Sequence, residues 1–354
     1  MPSKRFRAQG NGFNPNLMNV RYYLTVLPPK LPKAEALSQE ISALRQHFSG
    51  DLIYLNPNQH SPIYVPRLLF GFQRLMALRR QESALSLHHF YNPDPFPFPV
   101  LSWLKKPVIY TITSGVGQKR PNLAYFSKLA AIAVADERSK QQLHAWGLEN
   151  AVQVRPGIDT RQFHYSAPPT TSPLTLMVGS APWTTAQFQT KGVDALLEIA
   201  QQNPDLHLIF LWRGVLADEM KQRIQSCNVT KQVTLIDQLV DVNEVLGRVH
   251  ACINLATAAG IVKSYPHSLL DSLAAGKPVL VSQAIPMADY VTRTGCGSVV
   301  KAVTAAAIQE AISDLMSRYD EAQQIAQVVG QTDFSQQRMI SSYKALYQKV
   351  LENA

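Results

Sequence analysis

Residues 263–282, KSYPHSLLDSLAAGKPVLVS, bring a cation, a helix start and a carboxylate together within a few positions. Pro266 suits the first turn of a helix, because its missing N–H would be unpaired there in any case. Leu269, Leu270 and Leu273 give that helix an apolar face, Gly276 stops it, and Val279, Leu280 and Val281 follow as a short buried strand. A helix start offers open N–H groups and a positive dipole end, which together hold anions. Lys263 stands at the entrance of this unit and Asp271 in its first turns. Elsewhere, Lys191-Gly192 precedes an apolar helical pattern, and Thr113-Ser-Gly-Val-Gly follows a strand. Gly115 and Gly117 allow either close backbone approach or a simple turn. His88 and His89 stand at and just after the end of a predicted strand over residues 84–88, at a place suited to an acceptor molecule or to ordinary packing.

The elements that must position these residues form two successive sets. The chain has 354 residues, 46% of them hydrophobic and 17% charged, as expected for a globular protein with two sizeable cores. Strands are predicted over residues 19–27, 51–55, 84–88, 108–112, 130–135 and 151–154, alternating with helices at 33–48 and 136–146. Residues 67–80, RLLFGFQRLMALRR, are apolar on one side and basic on the other. The small, proline-containing stretch 166–172 (SAPPTTS) reads as a linker. The pattern then restarts, with strands at 174–178, 206–211, 233–235, 251–256, 279–281 and 297–300, and helices at 192–201, 217–225, 241–249, 305–317 and 335–351. Alternating strands and helices predict two doubly wound α/β domains with parallel sheets, with ligands expected in the cleft between them.

Three scattered cysteines, Cys227, Cys252 and Cys296, form neither a disulfide framework nor a zinc spacing, and fit a cytoplasmic protein. The net charge is +9, which predicts anionic partners: nucleotide phosphates, an acidic polymer or a membrane surface. No nucleic-acid recognition motif accompanies that charge, so nucleic acid is not expected. The basic stretch 1–16 lacks the apolar run of a signal peptide and is expected to be a tail. No run of about 20 apolar residues is present to span a bilayer. Peripheral contact with the inner face of a membrane through a helix over residues 67–80 is one expectation, and an ordinary amphipathic helix of the first domain is the other.

The motifs also support a resemblance. Residues 263–279, KSYPHSLLDSLAAGKPV, resemble the donor-site signature of family four glycosyltransferases, which runs roughly E-G-F-P-x-S-L-L-E-A-M-A-x-G-K-P-V. Residues 154–163 (VRPGIDTRQF) are similar to that family's domain-crossing V-x-P-N-G-V-D-x-x-x-F. Residues 191–197 (KGVDALL) resemble its K-G-x-x-x-L-L, and 104–113 (LKKPVIYTIT) its L-x-K-P-V-V-x-T-x-H. The resemblance covers nearly the whole chain, and is strongest over residues 152–300.

The resemblance implies a GT-B fold of two Rossmann-like domains facing a central cleft. It places an acceptor-binding domain at residues 1–165, a nucleotide-sugar-binding domain at 166–334, and a returning helix at 335–354 that carries Tyr343 and Tyr347. It assigns Lys191 to the donor phosphates and Asp271 to the ribose, with Gly179, Ser180, Arg213, Tyr265, Pro266, His267, Ser268 and Leu269 around the donor. His88, His89, Ser114 and Gly115 fall on the acceptor side. Lys263 stands where the family has its first glutamate, against the transferred sugar. A lysine cannot accept hydrogen bonds from sugar hydroxyls. It therefore reads as a partner for an acidic sugar, as a contact to the diphosphate, as a partner of Asp271, or as a lost contact. Thr113 stands where the family often has histidine.

The implied activity is transfer of a sugar from a nucleotide-sugar to a saccharide, lipid-linked or small-molecule acceptor, in polysaccharide biosynthesis, with retention and without a metal or other cofactor. The altered signature leaves a second reading, a catalytically weakened protein that binds a nucleotide or activates a partner.

Overall fold

The computed structural model describes residues 18–29, 35–165, 167, 173–212 and 216–354. The predicted tail at 1–16, most of the 166–172 linker and Arg213 lie outside the described residues. Two six-stranded sheets, parallel throughout, organise the chain. The first contains β1 (Val20–Leu24), β2 (Leu52–Tyr54), β3 (Leu87–Asn92), β4 (Val108–Ile112), β5 (Ala131–Val134) and β6 (Ala151–Gln153), in the order β2-β1-β3-β4-β5-β6. The second contains β7 (Leu174–Val178), β8 (Leu206–Leu211), β9 (Val233–Ile236), β10 (Ala251–Asn254), β11 (Val279–Ser282) and β12 (Gly297–Val300), in the order β12-β11-β10-β7-β8-β9. The second order is the dinucleotide-binding arrangement, in which the chain reverses direction across the sheet between its first and fourth strands, here β7 and β10.

Both sheets are covered on both faces, which explains strands such as Val20–Leu24 and Val279–Ser282 that are buried end to end. On one face of the first sheet, the helix Ala36–His47 contributes Leu37, Ile41 and Leu44, and the C-terminal helix Gln336–Glu352 contributes Met339, Tyr343, Leu346 and Tyr347. On the other face lie Phe70, Leu78, Phe98, Val100 and Leu101. In the second domain the helix His267–Ala274 buries Leu269, Leu270 and Leu273 completely. Each such leucine stabilises the fold by about 2 kcal/mol, so the helix that starts the candidate site is fixed by its own apolar face.

Several elements differ from the sequence pattern. Strand β3 covers Leu87–Asn92, and the residues before it, Glu82–Ala84, form a 3-10 turn. Residues 67–80 are not one amphipathic helix. They form the 3-10 turns Arg67–Leu69 and Phe72–Arg74, broken by Gly71 at φ 87°, before the short helix Leu75–Gln81. The helices Leu123–Phe126, Ala186–Thr190, Met287–Thr294 and Tyr319–Asp333 stand where no element is predicted.

Candidate functional site between the domains

The carboxyl ends of the two sheets meet. Beyond β4, the Thr113 carbonyl accepts from the Ser264 N–H at 3.0 Å, and the Gly115 N–H donates to the Ala259 carbonyl at 3.1 Å. Ser114 and Lys263 form an antiparallel bridge across the same seam. Beyond β5, Arg138 pairs with Asp289 at 2.6 Å and donates to the Gln283 carbonyl. The chain crosses back where Ile158 exchanges backbone hydrogen bonds with Phe334 and Gln336.

Several of the residues predicted on the donor side converge at the β7/β10 reversal. Gly179 and Ser180 follow β7 directly. A Cβ on Gly179 would lie 2.3 Å from the Ser268 Cβ, so only glycine lets this loop rest on the first turn of the His267–Ala274 helix. No side chain caps that helix start, at Pro266. The Pro266 carbonyl takes the N–H groups of Leu269 and Leu270. Among the described residues, this leaves the His267 and Ser268 N–H groups as the open donors of the turn, oriented for an anion. Leu269 therefore contributes packing and no donor. Lys191 is buried at the junction of the helices Ala186–Thr190 and Val193–Gln202, and donates to the Ala181 carbonyl at 2.8 Å, in the loop that begins with Gly179. Burial pulls its ammonium down from 10.5 to about 8. Asp271 is half-buried on the same helix.

Opposite this cradle, the first domain supplies acids. The Lys263 Nζ is shielded from solvent, makes no hydrogen bond among the described residues, and lies 3.8 Å from the Glu35 carboxylate. The His267 Nε2 lies 2.6 Å from the Glu40 carboxylate, off the line of its ring N–H. Thr113, Thr111, Tyr265 and Tyr343 line the same narrow cavity as Lys263, His267 and Glu40. Its interior holds about 20 Å³, enough for one water molecule. Glu35 and Glu40 escaped the sequence reading. The signal for Glu40 is an acid on the buried stripe of Leu37, Ile41 and Leu44. Asp136 escaped too. It caps the helix Glu137–Ala145 by accepting from the Ser139 N–H at 2.6 Å, it is buried, and desolvation raises its pKa.

Several expected contacts are not in the cleft. His88 and His89 are wholly enclosed and present nothing to an acceptor. His88 pairs with Tyr23 at 2.8 Å and Glu82 at 3.0 Å, and His89 pairs with Tyr347 at 2.6 Å and Thr111 at 2.7 Å. Each lies in the middle of a sheet whose carboxyl ends, not its strand centres, reach the cleft. Ser114 and Gly115 are spent on the interdomain seam, where a Cβ on Gly115 would meet Ala259 and Pro286 within 2.8 Å. The Tyr265 ring packs against Tyr290 and Phe334, so that residue serves the core more than the donor. Arg155, a further candidate cation, lies over the Tyr290 ring and 3.8 Å from Asp333.

Residues 160–329 match the family described as Glycosyl transferases group 1. The match spans most of the second domain. No curated protein matches the chain in sequence. Around this match, the whole chain has the fold of solved glycosyltransferases. One neighbour is a glycosyltransferase from Rickettsia africae ESF-5 (11% identity, TM-score 0.71, 95% of this chain and 99% of that one). Another is a sucrose-phosphate synthase from Thermosynechococcus elongatus (12%, TM-score 0.69, 95% and 100%). A third is Anabaena Alr3699/HepE in complex with UDP-glucose (12%, TM-score 0.63, 95% and 99%). At such identities the likeness is one of fold, and the fold is GT-B: two Rossmann-like domains facing each other.

Proposed function

We propose that this protein transfers a sugar from a nucleotide-sugar to a saccharide or lipid-linked acceptor. The observation that carries this reading is the convergence of Gly179, Lys191 and the open first turn of the His267–Ala274 helix at the β7/β10 reversal. The bound UDP-glucose of the Anabaena neighbour supports a nucleotide-sugar as the donor. In this account the diphosphate sits on the His267 and Ser268 amides, and the Lys191 ammonium turns from the Ala181 carbonyl to its oxygens. Negative charge grows on the diphosphate as the anomeric bond breaks, so donors fixed there stabilise the transition state more than the ground state. Asp271 accepts hydrogen bonds from the ribose.

The transfer is proposed to proceed with retention and without a metal, the leaving diphosphate itself taking the acceptor proton. Thr113, at the end of β4, faces the donor sugar from the first domain. Lys263 and Glu35 sit side by side there, so the sugar-side wall carries both a cation and an anion. Lys263 is proposed to favour a donor sugar bearing a carboxylate, which would displace Glu35 as its partner.

The test is a panel of uridine, guanosine and adenosine diphosphate sugars, scored for transfer and for slow hydrolysis. At least one donor should turn over, and Lys191→Ala should lower kcat/KM by roughly 10- to 100-fold, the loss of one charged hydrogen bond. Lys263→Ala should lower use of UDP-glucuronate far more than use of UDP-glucose. An equal fall would reject the acidic-sugar assignment. No turnover with any donor, alongside retained nucleotide binding, would move the protein to the non-catalytic reading.

A further inference from the structure

We propose that the outer layer of the first domain, built from residues 63–80 and 102–106, is a docking surface for an anionic lipid bilayer. It goes beyond the donor site and shares no residue with it. Residues 57–128 contain nine Lys and Arg against two Asp and Glu, so this short span carries +7 of the chain's net +9. Both acids are already engaged. Asp94 pairs with Arg67. Glu82 is buried and accepts from His88 and from the backbone N–H groups of Lys105 and Lys106. Arg74, Arg79, Arg80, Lys105 and Lys106 are exposed, and the exposed Asp94 is taken up by Arg67.

The same layer exposes large apolar side chains. Tyr64 is 80% exposed, Ile63 73% and Met76 67%, and Leu68, Leu69 and Trp103 are each at least half exposed. The turns Arg67–Leu69 and Phe72–Arg74 bury no residue, and the helix Leu75–Gln81 buries only Leu78. The two segments form one layer. The turn Arg67–Leu69 touches the turn Pro99–Trp103, and the Glu82 carboxylate ties Lys105 and Lys106 to the end of the helix Leu75–Gln81. Beneath them Phe70, Leu78, Phe98, Val100 and Leu101 anchor the layer to the sheet.

The combination selects the occupant. A polyphosphate or acidic glycan would use the cations and gain nothing from Ile63, Leu68 or Met76. A bilayer uses both, since aromatic and aliphatic side chains enter the headgroup boundary while Arg and Lys meet anionic lipids. A protein that acts on a lipid-linked acceptor would gain from being held there, though the surface does not depend on that acceptor.

The experiment is flotation of the full chain with vesicles of phosphatidylcholine alone, and of phosphatidylcholine and phosphatidylglycerol in equal parts. The chain should float with the anionic vesicles, remain behind with the neutral ones, and release as salt is raised. Arg79→Ala with Arg80→Ala should weaken binding roughly tenfold or more, since each basic group near an anionic surface contributes about fivefold. Tyr64→Ser with Trp103→Ser should also weaken it severalfold. Both double variants should keep the parent's circular dichroism and its affinity for nucleoside diphosphates, which separates this surface from the donor site. Absence of flotation on anionic vesicles at low salt would overturn the proposal. So would binding to heparin or RNA combined with full vesicle binding by the Tyr64/Trp103 variant, which would mark a polyanion site.

Discussion

At the scale of single residues, chemistry depends on what burial does to Lys191. Its ammonium titrates near 8, against 10.5 for an ordinary lysine. The unfolded chain therefore binds this proton more tightly than the folded one. The group adds stability only as pH rises from 8 toward 10.5, and none below 8. Its charge, however, is what the proposed diphosphate contact requires. Affinity for a nucleoside diphosphate should thus fall as pH rises through 8, with proton uptake on binding below the pKa of the complex and above that of the free site. Lys191→Ala should bind weakly at every pH and lack this step. Titration calorimetry in buffers of different ionisation enthalpy measures both. A profile that is flat in both proteins would take Lys191 out of the site. How much of this site was legible varies by residue. Lys191, Gly179 and the helix start were legible because their motifs are local: a lysine before a glycine, a proline before an apolar stripe. Glu35 and Glu40 were not, because they act from the other domain, and no spacing within one segment reveals a partner more than 200 residues away.

At the scale of elements, the sequence pattern identified strands by their apolar runs and failed where polarity is buried or glycine is structural. Strand β3 reads as ending at His88 because His88, His89 and Asn92 look like surface residues, yet all three are buried and hydrogen-bonded. The helix Tyr319–Asp333 went unseen, and it carries Gly330 in its interior. A Cβ at Gly330 would lie 2.1 Å from the Leu273 backbone, so the glycine is there to let this helix cross the His267–Ala274 helix backbone to backbone. Gly330→Ala must push the helices apart. It should destabilise the protein by about 1–3 kcal/mol, as overpacking does, despite the better helix propensity of alanine. It should also weaken nucleotide binding, because the displaced helix carries the His267 and Ser268 amides. Urea denaturation and calorimetry on the same variant test both effects. Unchanged stability would mean the crossing is looser than the geometry indicates.

At the scale of the whole molecule, the C-terminal helix ties the two domains together. Its Tyr347 hydroxyl meets His89 at 2.6 Å, and its Tyr343 hydroxyl meets Thr111 at 3.1 Å. Burial holds His89 down to about 3, so it stays neutral while the unfolded chain takes up a proton near 6.5. A depressed folded-state pKa contributes stability that is complete above 6.5 and drains away as pH falls toward 3. His89→Gln should start less stable at neutral pH, by about 1–3 kcal/mol for the disturbed network, and lose less on acidification. Denaturant melts across that pH range read the slope directly, and parallel slopes would contradict the assignment. The exposed Arg138–Asp289 pair, by contrast, should contribute under about 1 kcal/mol, leaving backbone contacts such as Ser264 to Thr113 to hold the seam.

The central claim is that a diphosphate rests where Gly179 lies against the first turn of the His267–Ala274 helix. Calorimetric titration of the full chain with uridine, guanosine and adenosine diphosphates, beside Gly179→Val, tests it most directly. At least one nucleotide should bind the parent saturably and bind the valine variant at least tenfold more weakly, because the side chain would fill the cradle. Equal affinity in the two proteins, or no heat with any of the three, would contradict it.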